Sequence, residues 1–219
     1  MWGYAWRDVR WKVALMALVN AAISMLWLDD VVSGGVWVRR LSGTLPMLFA
    51  MNAIVLANAG VATQLSQRPG QVVHSSMLFL LSLPIARRRL VLVREAVGAL
   101  GAFALLIATL GAYWCFAEPL RAVLPAVVAW RYVVSVAATT LTAYSLSSLF
   151  STCLDQLWQT YAALGVVTLL LFAIPATRIW REAFDATHQT LLIGGVSACL
   201  AVSALLIWLS VRAVERKQF

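Results

Sequence analysis

Six apolar stretches, at about Val13 to Leu28, Thr44 to Thr63, Val97 to Trp114, Val127 to Leu149, Leu157 to Ile174 and Thr190 to Val211, take up most of this 219-residue chain. A hydrocarbon core about 30 Å thick is crossed by roughly 20 residues of helix, and each stretch reaches or approaches that length. The runs are continuous in Leu, Ala, Val and Ile, without the alternation that marks barrel strands. Helices, which satisfy every backbone N–H and C=O internally, are therefore expected throughout.

Apolar residues make up 62% of the chain and charged residues 12%, against about 25% charged for an ordinary soluble domain. Six spans and short connections leave almost nothing for a water-exposed domain. The expectation is an all-α polytopic membrane protein of six transmembrane helices, forming one domain over residues 1–219.

The basic residues set the orientation. With a cytoplasmic N-terminus, the inner segments hold Arg7, Arg10, Lys12, Arg68, Arg87, Arg88, Arg89, Arg94, Arg212, Arg216 and Lys217, eleven against six outside: Arg39, Arg40, Arg121, Arg131, Arg178 and Arg181. The positive-inside rule then puts both termini in the cytoplasm. Tryptophans agree, since Trp11, Trp158 and Trp208 mark the inner rim and Trp27, Trp114, Trp130 and Trp180 the outer one. The net charge of +8 is spread over three inner segments, which suits anionic lipid headgroups and not nucleic acid. The first apolar run ends at Asp29 and Asp30 with no small-residue cleavage site, so it reads as an uncleaved signal anchor. Before it, Trp2, Trp6, Val9 and Val13 recur at helical spacing, predicting a short interfacial N-terminal helix.

One inner connection is large. From Gln64 to Glu95 it breaks at Pro69 and Gly70, allows a short helix over Val72 to Leu81, and places Pro84 where a further helix can begin. Met77, Leu78, Leu80, Leu81 and Leu83 are too apolar for a free loop and call for a covering surface.

Gly70 followed by Leu80, Leu81, Ser82, Leu83, Pro84, Ile85, Ala86, Arg87, Arg88, Arg89, Leu90, Val91, Leu92 and Arg94 resembles the connection between spans two and three of type-2 ATP-binding-cassette exporter permeases. The six spans, inner termini and interfacial N-terminal helix are similar too. Where that pattern carries Glu and Thr around the glycine, this chain has Pro69 and Gln71. The resemblance implies that two permease subunits, identical or related, form a pathway moved by separate ATPase subunits in a bacterial-type inner membrane. It makes Gly70, His74, Ser75, Ser76, Met77, Leu80, Leu81, Ser82, Pro84, Arg87 and Arg88 the candidate ATPase-coupling residues. ATP and Mg are then expected on the partner and no cofactor on this chain, which has no G-x-x-x-x-G-K-[ST] loop.

Chemistry within the chain is sparse. The acids Asp8, Asp29, Asp30, Glu95, Glu118, Asp155, Glu182, Asp185 and Glu215 all fall at span ends or in connections, which disfavours an ion-driven carrier. Arg131, Ser135, Thr139 and Thr142 share one stripe of span four, with Tyr144 and Ser148 as a second pair. The hydroxyls are read either as a pathway or subunit seam or as bonds back to their own helix, and Arg131 as snorkelling outward. Asn52 and Asn58 are candidates for interhelical hydrogen bonds. Small pairs, Gly98 with Ala102, Ala104 with Ala108, Ala57 with Gly60 and Gly194 with Ala198, allow close helix approach. Cys115, Cys153 and Cys199 read as three small buried hydrophobes. Glu182, Asp185 and His188 are the best metal spacing available and a poor one, so neither a metal nor a catalytic site is expected. A membrane scaffold or a secondary carrier without an ATPase is the alternative function.

Overall fold

The computed structural model describes residues 2–26, 44–57, 87–116, 121, 125–153, 165 and 189–216. These are helical with no strand among them. Five helices result: α1 Trp2–Leu26, α2 Leu45–Ala57, α3 Arg87–Phe116, α4 Ala126–Cys153 and α5 Gln189–Arg216. Three stretches, Val91–Cys115 in α3, Val128–Cys153 in α4 and Leu192–Arg216 in α5, are long and apolar enough to cross a membrane. The expected fifth span apart from Gly165, the end of the expected second span and the connection up to residue 86 lie outside the described residues.

The helices start where their sequences allow. Pro46 occupies the first turn of α2, where no N–H is needed. Pro125 precedes α4, and its carbonyl accepts the N–H of Val128 at 2.8 Å and of Ala129 at 2.9 Å, opening the helical ladder. α3 begins at Arg87, three residues beyond Pro84, so the basic run forms its first turn.

In place of a separate interfacial segment and first span, residues 2–26 form one unbroken helix. Its inward seam runs Ala5, Val9, Val13, Met16 and Asn20, spaced by three or four. Val9 and Val13 belong to this seam and pack on neighbouring helices in place of the expected membrane interface. Trp2 and Trp6 do not: they are 57% and 51% exposed on its flank. The seam passes over Gly101 of α3, against which Val9 and Val13 pack.

α2 is enclosed by α1, α3 and α4, and nine of its thirteen residues are buried. α4 lies between α2 and α5, while α1 packs chiefly on α3. The main core gathers Ala5 and Val9 of α1, Ala50, Ala53, Leu56 and Ala57 of α2, Val93, Val97, Ala102 and Leu105 of α3, and Ala143 and Tyr144 of α4. It is rich in alanine because lipid supplies no hydrophobic drive between helices, and close backbone approach must hold them instead. Among the small pairs, Gly98 and Ala102 are buried at this contact. Ala104, Ala108, Gly194 and Ala198 face outward, and Gly60 lies outside the described residues.

Side-chain contacts fix the directions. Asn20 meets Thr109 and Ser24 meets Tyr113, both with an offset of 89 residues, so α1 and α3 run parallel in register. Ser148 meets Glu95 and Tyr144 meets Gly98, which makes α4 antiparallel to α3. Thr142, level with the residues just after Gly98 of α3, meets Cys199 and Ser203 of α5, while Val91 near the start of α3 packs with Val211 and Val214, so α5 is antiparallel to α3 as well. α4 and α5 consequently run in the same direction and end together, beside the start of α3.

Candidate functional site

The polar groups inside the bundle form three seams and one rim. The first joins α1, α2 and α3: Asn52 donates to Asn20 Oδ1 at 3.1 Å, and Asn20 donates to Thr109 Oγ1 at 3.2 Å. Both asparagines are 2% exposed, so each carboxamide depends on the other helices for partners. A turn further on, Tyr113 donates to Ser24 Oγ, and Ser24 donates to the Asn20 carbonyl. Asn52 is thus an interhelical bridge, while Asn58 lies outside the described residues.

The second seam is the stripe on α4. Ser135 donates to the carbonyl of Arg131 at 2.7 Å, Thr139 to that of Ser135 at 3.1 Å, and Thr142 to that of Ala138 at 3.0 Å. Backbonding of this kind hides a hydroxyl in an apolar setting. Thr142 also reaches across, to Ser203 Oγ at 3.1 Å and the Cys199 carbonyl at 3.3 Å on α5. The stripe therefore serves its own helix over most of its length and the α4–α5 contact at Thr142. The Arg131 guanidinium lies over the exposed Trp130 ring, 5.6 Å from its centroid. A dense set of small hydroxyls follows along α4: Ser145, Ser147, Ser148, Ser151 and Thr152 are all buried.

The third seam was not foreseen. Glu95 is inside the apolar stretch Val91–Cys115, two residues ahead of the expected start of span three. Ser148 Oγ donates to its Oε1, the Tyr144 ring lies beside it, and its Oε2 is enclosed without a hydrogen-bond partner among the described residues. Tyr144 and Ser148, one turn apart on α4, thus converge on a carboxyl group of α3. Gly98, one turn after Glu95, makes this possible: a Cβ there would sit 2.1 Å from the Tyr144 hydroxyl and 2.8 Å from Cζ. The legible signals were the Glu95–Gly98 spacing on one helix and the Tyr144–Ser148 spacing on the other. By the 89-residue offset, Glu95 is level with Trp6, next to Arg7 and Arg10, and so belongs to the charged end of the bundle.

The rim is the cleft between the start of α3 and the end of α5. Arg88, Leu92, Ala204, Ile207, Trp208, Val211, Arg212 and Glu215 line a space of about 280 Å³. Of the coupling residues, Arg88 is exposed here and Arg87 starts α3. Gly70, His74, Ser75, Ser76, Met77, Leu80, Leu81, Ser82 and Pro84 lie outside the described residues.

Cys115 and Cys153 are exposed and Cys199 is half-buried, so the reading of three buried cysteines is corrected. Cys115 and Cys153 are at the ends of α3 and α4, where a small side chain meets little packing demand, whereas Cys199 lies beside Thr142 at the α4–α5 contact. Among the described residues no three His, Cys, Asp or Glu side chains come together, and Glu182, Asp185 and His188 lie outside them. Compared with protein families, curated proteins and solved structures, the chain has no match.

Proposed function

We propose that this chain is the membrane-spanning permease subunit of an ATP-binding-cassette transporter, exporting a hydrophobic or amphipathic substrate with ATP hydrolysed by a separate ATPase subunit. The observation that carries the reading is the sequence run Leu80 to Arg94, whose part from Arg87 onward opens α3. The start of α3 is held by the ends of two other helices, through Ser148 and Glu95 to α4 and through the Arg88 cleft to α5. Force applied to the preceding connection would be delivered to that junction and thence to the whole bundle.

Helix directions add support. Asn52 of α2 is level with Thr109 of α3 through Asn20, and Leu56 lies beside Gly101, so α2 runs against α3. α1 and α3 thus run one way and α2, α4 and α5 the other, as six successive crossings with one more between α4 and α5 require. The scaffold alternative leaves the apolar run Met77 to Leu83 without a covering surface. The ion-carrier alternative gains from the enclosed Glu95, but its level beside Arg7 and Arg10 is short of the mid-depth such a carrier uses.

Replacing Met77 and Leu81 together with Asp tests the coupling role. The variant should insert normally yet lose either its ATPase partner or substrate export. Unchanged co-purification together with unchanged export would overturn the role given to this segment.

A further inference from the structure

We propose that the cleft between the start of α3 and the end of α5 is a binding site for one anionic phospholipid, with its phosphate between Arg88 and Arg212 and an acyl chain lying along Leu92, Ala204 and Ile207.

The cleft has the polarity of such a ligand. Its charged lining, Arg88, Arg212 and Glu215, is at the helix ends, and its apolar lining runs down two turns of α5 toward the bilayer interior. Two arginines against one glutamate leave a net +1 among the lining residues, matching the single charge of a phosphodiester whose headgroup is otherwise neutral. Arg89 and Arg216 are exposed next to the cleft and add positive potential around it.

The walls are built to hold a shape. Arg212 stacks over the Trp208 ring at 5.0 Å from its centroid, which aligns the guanidinium along the rim and sets an indole at headgroup level. Val91, Val211 and Val214 form a separate buried cluster that ties the two helices together behind the cleft. Ala204 is exposed and short, so it leaves a recess beside the larger Ile207 and Trp208. Trp208 is 50% and Leu92 40% exposed, which is apolar surface a lipid chain would cover. Lipid is the occupant to which both the charge and the direction of the apolar wall point. The site does not depend on the transport reading.

The test is native mass spectrometry of the purified full chain, titrated with phosphatidylglycerol or phosphatidylcholine of the same acyl chains. The wild type should retain one phosphatidylglycerol at about tenfold or more lower lipid concentration than phosphatidylcholine. Arg88→Gln with Arg212→Gln should abolish that preference, and Arg131→Gln, at the other end of the bundle, should leave it intact. Ala204→Trp keeps every charge and fills the recess, so it should also lose the lipid; general surface attraction would survive it. Glycerol phosphate, which lacks acyl chains, should not compete at matching concentration. Equal retention of the two lipids by the wild type would overturn the proposal. So would a preference that survives Ala204→Trp, or displacement by glycerol phosphate.

Discussion

Gly98 and the asparagine pair show how single residues hold helices together where lipid removes the hydrophobic drive. A methyl group at Gly98 would overlap the Tyr144 ring, which is 4% exposed and has Glu95 on one side, so the ring has nowhere to retreat. Gly98→Ala should therefore destabilise the bundle by about 1–3 kcal/mol, the usual range for overpacking, read from thermal unfolding in detergent. Gly98→Ala combined with Tyr144→Phe should recover little, because Cζ collides as well as the hydroxyl. Asn20 and Asn52 should show a double-mutant coupling of about 0.6 kcal/mol and at most about 1.7 kcal/mol, since both find other partners when the helices separate within the membrane. A coupling near zero would mean the bond at 3.1 Å adds nothing. Asn52 was legible as a bridge because an amide inside an apolar run needs a partner. The Glu95 contact was not, because a carboxylate one turn into an apolar run reads as its edge, and its partners come from a helix some fifty residues away.

Elements were more legible than contacts. Continuous apolar runs give the cores of α3, α4 and α5, since hydropathy reports transfer to lipid directly. Ends were harder: α3 starts ten residues before the expected Val97, because helix propensity continues through Arg and Glu where hydropathy stops. The same effect merges the interfacial segment into α1, with Arg7 and Arg10 on its exposed side and Lys12 half-buried. Large indoles suggested an apolar face, yet the inward side is the one that carries Ala5, Val9 and Val13, and Trp2 and Trp6 stay on its exposed flank. The parallel register of α1 and α3 predicts a crosslinking pattern. In a background without the three native cysteines, cysteines at Asn20 and Thr109 should join under mild oxidation, and cysteines at Val9 and Tyr113 should not. The reverse pattern would contradict the register.

For the molecule as a whole, the sequence tells more about architecture than about action. Basic residues and tryptophans define two ends, and the alternating helix directions fit that division. The cleft at Arg88 and Arg212 was hidden because its two walls are more than a hundred residues apart and each reads alone as an ordinary helix end. Substrate pathway residues were hidden for a different reason: hydroxyls that serve their own helix have the same spacing as hydroxyls that line a passage, and a second partner such as Ser203 for Thr142 comes from a helix distant in sequence. The central claim is that an ATP-hydrolysing companion drives this bundle. Purification of the tagged full chain from its native membrane in mild detergent, followed by sequencing of whatever remains bound, tests it most directly. The account predicts a stoichiometric subunit carrying a G-x-x-x-x-G-K-[ST] loop, whose ATP hydrolysis changes when Met77 and Leu81 are replaced with Asp. A chain that purifies intact and alone, with no such subunit at any detergent strength that preserves its helices, would contradict it.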